Sequence, residues 1–257
     1  MIEFLQKYLL PLLHEMERPR AWGAFHALFF FIGIPLAILL AFALRKISKK
    51  SEKCLFSTVG GILLISEIFK QLAFTAIEGT YRFDLIPFQL CSIPMYLCVL
   101  MPMIPDGKIQ RAVRTFIATF GLMGGMASYI APGTMCRDWL ELTLHSFLWH
   151  LILIFLGFYV FFSHNTKIQK GDFLGAEILY LSLCAVAFLI NLIFINAPGV
   201  PVNMFYVGPK PSDLPICREI TARFGVAVNS IGYVSALSLC AYLIHLTESF
   251  IKKIFKQ

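Results

Sequence analysis

Of the seven cysteines and six histidines in the chain, one cysteine and two histidines stand in settings that favour covalent chemistry. Cys91 lies in Gln89-Leu90-Cys91-Ser92-Ile93-Pro94. Polar residues flank it, and Pro94 removes a backbone donor and disturbs a helix around the carbonyl of Leu90. A cysteine attacks as its thiolate, so a nearby histidine has to accept the proton. His145 and His150 are the candidates. They are five residues apart, about 140° around a helix, and so do not form the i, i+4 pair of a helical zinc site. No CxxC pair occurs, and neither a metal nor another cofactor is expected. Glu141, four residues before His145, is placed to orient it. Cys98 sits among Tyr96, Leu97 and Val99 and reads as packing. Cys136 and Cys217 fall in loops on one side, where an oxidising compartment would allow a disulfide.

These residues sit on or beside long apolar runs. The chain has 257 residues, 58% hydrophobic and 14% charged, too few charges to cover a water-facing surface. About 20 apolar residues in a helix cross a bilayer core. Seven runs qualify: Trp22 to Leu44, Leu55 to Ile77, Phe88 to Ile104, Val113 to Ile130, Leu142 to Phe162, Phe173 to Ile195 and Ile220 to Leu246. The third is short with Pro94 inside, so it is expected to be kinked, tilted or partly re-entrant. The fold class is therefore an all-α transmembrane bundle forming one domain over residues 1–257. Residues 1–20 include an amphipathic stretch, Ile2 to Met16, suited to the interface. Residues 196–219 form the longest loop, with five prolines.

The net charge of +7 comes from short basic clusters between spans and not from a stripe interleaved with aromatics, which excludes nucleic acid as a partner. Thirteen Lys and Arg fall on the side of the first, third and fifth loops and the C-terminal tail, and eight fall on the other side. By the positive-inside rule the N-terminus is outside and the C-terminus is cytoplasmic, giving a multi-pass protein of the cell membrane.

That orientation makes depths comparable. Glu67, Lys70, Cys91, His145, His150, Asn191, Asn196, Arg223 and Asn229 all fall in the outer half, and the inner half reads as almost wholly apolar. Intramembrane polar groups mark functional sites by default. The plainer alternatives are that Glu67 and Lys70, three apart, neutralise each other, and that the asparagines bond helices together.

At these residues the chain resembles the YwaF family of bacterial integral membrane proteins, related to the eukaryotic transmembrane protein 164. Leu85-Ile86-Pro87-Phe88-Gln89-Leu90-Cys91 is similar to the family's Leu-Pro-Leu-His-Leu-Cys. Gly121 to Pro132, ending Tyr129-Ile130-Ala131-Pro132, is similar to its glycine-rich span. His150 follows eighteen residues later, before an apolar run ending in Tyr159. Asn191 to Pro211, with Asn203-Met204-Phe205-Tyr206 and Lys210-Pro211, completes the pattern. Gln89, Gly133 and Leu151 depart from the family's His, acidic residue and Gly. The transmembrane protein 164 branch acts as a cysteine- and histidine-dependent phospholipid acyltransferase, so the resemblance implies Cys91 as nucleophile and His150 as base.

The expected function is acyl transfer or acyl hydrolysis on a membrane phospholipid or other acyl lipid, with His145 as reserve base. Gln89, Asn203, Asn229 or amides near Pro94 would donate to an oxyanion. Lys70 or Arg223 would hold a phosphate, and Glu67 would line the site. Two rival readings remain: a small-molecule transporter or solute-binding protein using the same cavity, and a lipid-binding protein without chemistry.

Overall fold

The computed structural model describes residues 1–211 and 214–254, so two positions of the 196–219 loop and Lys256 of the basic tail lie outside the described residues. The described residues are helical throughout their regular structure, with one isolated β-bridge between Glu15 and Trp139. The helices are α1 (Ile2–Tyr8), α2 (Ala24–Lys46), α3 (Lys49–Glu78), α4 (Leu90–Met103), α5 (108–130), α6 (Leu140–Phe162), α7 (Asp172–Ile193), α8 (Pro215–Phe224) and α9 (Val226–Ile254). Five of them, α2, α3, α6, α7 and α9, are long and apolar enough to cross a membrane.

The helix boundaries depart from the apolar runs for local reasons. The amphipathic stretch is helical only through Tyr8. Pro11 lies in a short 3-10 turn beyond it, and the chain then extends along the loop before α6. Helix α3 begins six residues before its apolar run because Ser48 caps it, accepting from the Ser51 amide at 3.1 Å. The last apolar run is divided. Gly225 takes φ 85°, a left-handed value that glycine adopts without a Cβ penalty, and it ends α8 before α9 begins. Pro94 occupies the first turn of the α-helical part of α4, where a missing N–H breaks no helix bond. The interior disturbance expected from it does not arise.

Packing joins α2 to α6, α3 to α4, α5 to both α6 and α7, and α8 to α9. Small residues let backbones approach closely, as in membrane bundles generally. A Cβ on Gly60 of α3 would lie 2.8 Å from the Val99 amide nitrogen of α4, and one on Gly125 of α5 would lie 3.1 Å from the His150 carbonyl oxygen of α6. The Tyr129 hydroxyl donates to the Phe147 carbonyl at 2.8 Å, and His26 Nε2 meets the Tyr129 carbonyl at 2.9 Å, knitting α2, α5 and α6 together.

The half expected to be apolar contains buried charges. The Arg114 guanidinium of α5 grips the Glu52 carboxylate of α3 through two bonds of 2.8 and 2.7 Å, and the Tyr159 hydroxyl donates to the same carboxylate at 3.0 Å. Arg111 bonds Asp172 at 2.9 Å, and Lys252 pairs with Glu248 at 3.3 Å. Counted only as topology determinants, several of these basic residues turned inward. Their carboxylate partners lie on neighbouring helices or one turn away, so a charge can be buried with its counter-charge.

Candidate active site

Cys91 sits in the 3-10 turn Leu90–Ser92 that opens α4 and is half-buried. Its carbonyl oxygen accepts from the Trp149 indole Nε1–H at 3.0 Å, which fastens the turn to α6. Trp149 stacks on His145, ring centroids 5.4 Å apart, and is followed in sequence by His150. His150 Nδ1 lies 2.7 Å from the Ser146 carbonyl. A carbonyl only accepts, so Nδ1 carries the proton and Nε2 keeps its lone pair. His145 lies beside Ser66 of α3, and its Nε2 is buried without a partner.

Lys70 is the common neighbour of these groups, within electrostatic range of Cys91, His145 and His150. It pairs with Glu67 at 2.7 Å, as the three-residue spacing suggested. Glu67 also accepts from Gln71 Nε2 at 2.7 Å, and Gln71 holds the Leu85 carbonyl at 2.6 Å, tying α3 to the segment before Cys91. From α9, Tyr233 comes within electrostatic range of Cys91 and packs edge-on against Tyr206, centroids 5.8 Å apart. Among the described residues, no hydrogen bond joins the Cys91 sulfur to either histidine ring.

The other expected site residues divide. Gln89 has both ends of its amide committed: Nε2 donates to the Asn203 carbonyl at 3.1 Å, and Oε1 accepts from the Phe205 amide at 2.9 Å. Asn203 is committed likewise, to the Gly208 amide at 3.1 Å and to the Lys210 and Pro211 carbonyls at 3.3 Å. Gln89 clamps the 203–211 loop against the turn before Cys91, and the Asn203 side chain closes that loop on itself, so neither presents a free donor to an oxyanion. Asn229 is buried near the start of α9, and its Oδ1 has no partner among the described residues. Arg223 is exposed in the last turn of α8 and does not open the last span. Glu141 does not orient His145; it accepts from His14, whose Nδ1 is 2.6 Å away. No disulfide joins Cys136 to Cys217; both are buried, one before α6 and one near the start of α8.

Trp149 and Tyr233 are the neighbours of Cys91 that the residue pattern did not single out. The available signal for Trp149 was its position beside His150, since an indole N–H buried in a bundle needs an acceptor.

Several membrane-length apolar helices packed against one another define a polytopic helical membrane protein. Residues 19–242 match the family model described as the TMEM164 family, and the chain belongs to that family. Among curated proteins and among solved structures, no sequence matches.

Proposed function

We propose that this chain is a seven-span lipid acyltransferase or acyl hydrolase of the cell membrane that uses Cys91 as nucleophile and His150 as base. Two further segments support the span count. Helix α4 is apolar though short. Helix α5 runs unbroken from 108 to 130 through a π-turn at Ile117–Gly121, long enough at about 1.5 Å per residue to cross a hydrocarbon core. The basic clusters then favour an extracytoplasmic N-terminus and a site in the outer leaflet.

In this reading His150 Nε2 takes the Cys91 proton, and the thiolate adds to the ester carbonyl of a phospholipid. The tetrahedral adduct collapses, its C–O bond breaks, and the departing lysolipid oxygen receives the proton from His150. An acyl-thioester remains on Cys91. A hydroxyl of a second lipid, or water, gives its proton to Nε2, attacks the thioester and releases the thiol. Lys70 would hold the phosphate, and its pairing with Glu67, itself bonded by Gln71, supports that role.

The observation that carries the proposal is the fastening of the Cys91 turn to the helix of His150 through Trp149, with His150 held in the tautomer a base requires. The test is acyl-thioester trapping on purified protein with a phospholipid bearing a clickable acyl chain. Cys91→Ala and Cys91→Ser should both abolish hydroxylamine-sensitive labelling, and His150→Gln should slow it by at least about 100-fold, the usual scale of a lost general base. Labelling that persists in both Cys91 variants would leave solute binding or lipid binding without chemistry.

A further inference from the structure

At the opposite end of α9 from the Cys91 site lies a cleft of about 430 Å³. It is bounded by the start of α7, the segment before it, and the last third of α9. His245 on its floor is twelve residues beyond Tyr233, about 18 Å along the helix, so the two sites are separate.

The lining mixes polar and apolar residues, with Tyr242, His245, Leu246 and Ser249 spaced to share one face of α9. Gln169 and Lys170, in the segment before α7, and Ser249, seven residues beyond Tyr242 along α9, are its polar lining and are taken as the rim; Leu174, Tyr242 and Leu246 are apolar lining and are taken as the wall. Those three apolar residues are among the exposed large hydrophobics, so the wall opens sideways onto the surface that a bilayer would cover. His245 is 8% exposed, and among the described residues its Nδ1 has no hydrogen-bond partner. A buried, unpartnered ring nitrogen is costly unless something outside the chain satisfies it.

Charge decides the kind of occupant. The carboxylates next to lining residues in sequence are already neutralised, Asp172 by Arg111 at 2.9 Å and Glu248 by Lys252 at 3.3 Å. Lys170 is exposed and, among the described residues, has no ion-pair partner, so it adds a positive charge at the rim. A cavity with a cationic rim and an apolar wall open to the bilayer matches an amphiphile with an anionic head and an acyl tail. Zwitterionic heads would gain little there, and soluble phosphates would leave the wall uncovered.

We infer that this cleft binds an anionic phospholipid, with the headgroup at Lys170 and the Gln169–Ser249 rim and one chain along Leu174, Tyr242 and Leu246. The occupant belongs to the leaflet facing the basic end of the protein, and its binding does not depend on any reaction at Cys91.

The test is native mass spectrometry of the full-length protein in detergent, titrated with phosphatidylglycerol or with phosphatidylcholine of the same acyl chains. Phosphatidylglycerol should bind at least about tenfold more tightly. Lys170→Glu should abolish that preference, and Ser249→Trp, which fills the rim, should weaken both adducts. Cys91→Ala should leave them unchanged, so a failure of the catalytic proposal and a failure of this one read out separately. The melting temperature of each variant checks folding, and Lys170→Glu on the exposed rim serves if Ser249→Trp does not fold. Equal binding of the two lipids, a preference that survives Lys170→Glu, or competition by glycerol 3-phosphate alone would overturn the inference.

Discussion

The Trp149 indole N–H reaches the carbonyl oxygen of Cys91 at 3.0 Å, so a side chain of α6 holds the backbone of the turn that carries the thiol. Replacing Trp149 by Phe keeps an aromatic ring against His145 but removes the donor. Leaving the Cys91 carbonyl without its donor should lower stability by about 1–3 kcal/mol, below the roughly 5–15 kcal/mol that holds a typical domain folded. Acyl-thioester labelling should fall about tenfold or more, because a shift equivalent to 1.4 kcal/mol in the barrier already does that. Time courses of labelling, read beside the melting temperature, separate the two effects. Unchanged labelling would make Trp149 a packing residue.

The same bond shows where residue patterns stop being informative. Five of the seven expected spans were legible because a bilayer demands long apolar helices, and Leu140–Phe162 begins only two residues before the run that announced it. Boundaries were missed where helices extend into protein and not into lipid: Glu52 lies in the first turn of α3 because Arg114 waits for it across the bundle. Cys91 and His150 stood out by their chemistry, and Lys70 and Glu67 by their three-residue spacing. Gln89 and Asn203 looked like site donors because they are polar near the cysteine. Their partners are the backbone of a loop in which Phe205 and Tyr206 take φ values of 54° and 53°, conformations that non-glycine residues give no warning of.

Asn191 supplies the anchor of that loop. Its Oδ1 accepts from the Met204 amide at 2.6 Å, and its Nδ2 donates to the Met204 carbonyl at 3.0 Å. Asn191→Ala leaves two buried backbone groups unsatisfied, each costing on the order of 1–3 kcal/mol. The left-handed residues that follow are then free to relax. Chymotrypsin should cut after Phe205 or Tyr206 in the variant at enzyme levels that spare the wild-type protein, in which Phe205 and Met204 are buried. Resistance equal to wild type would show that Gln89 and Asn203 suffice to hold the loop.

The N-terminal segment should loosen in acid. Arg18 Nε donates to Asp138 at 3.0 Å, and that bond holds the Asp138 carboxyl below the usual carboxylate range while raising Arg18. A depressed carboxylate contributes its stabilisation fully above the unfolded-state value and loses it as pH falls through the folded one. The Met16 amide, which donates to the Asp138 carbonyl at 2.8 Å, reports the contact. Its hydrogen exchange, corrected for the intrinsic rate, should accelerate as pH falls from about 5 to about 2. Asp138→Asn should exchange fast already at the upper end of that range. A pH-independent protection factor in the wild-type protein would assign the docking of this segment to contacts other than the Arg18–Asp138 pair, among them the Leu140 amide bond to the His14 carbonyl and the packing of Leu13.

Glu52 and Arg114 test whether the charges in the other half are structural. Their side chains are 2% and 7% exposed, so neither has water to fall back on. Removing one partner strands the other as an uncompensated buried charge, which costs about 3–5 kcal/mol. Glu52→Leu and Arg114→Met should each lower the melting temperature steeply in a fixed detergent. The double variant should lie well above the sum of the two losses, because two apolar side chains of similar volume replace the pair without an unpaired charge. Tyr159 limits the recovery, since its hydroxyl loses the Glu52 acceptor in every variant that lacks the carboxylate. Adding Tyr159→Phe to the double variant should therefore restore a further increment of about 1 kcal/mol or more. Losses that simply add, to within about 0.5 kcal/mol, would mean that the two groups do not depend on each other and that water reaches this end of the bundle.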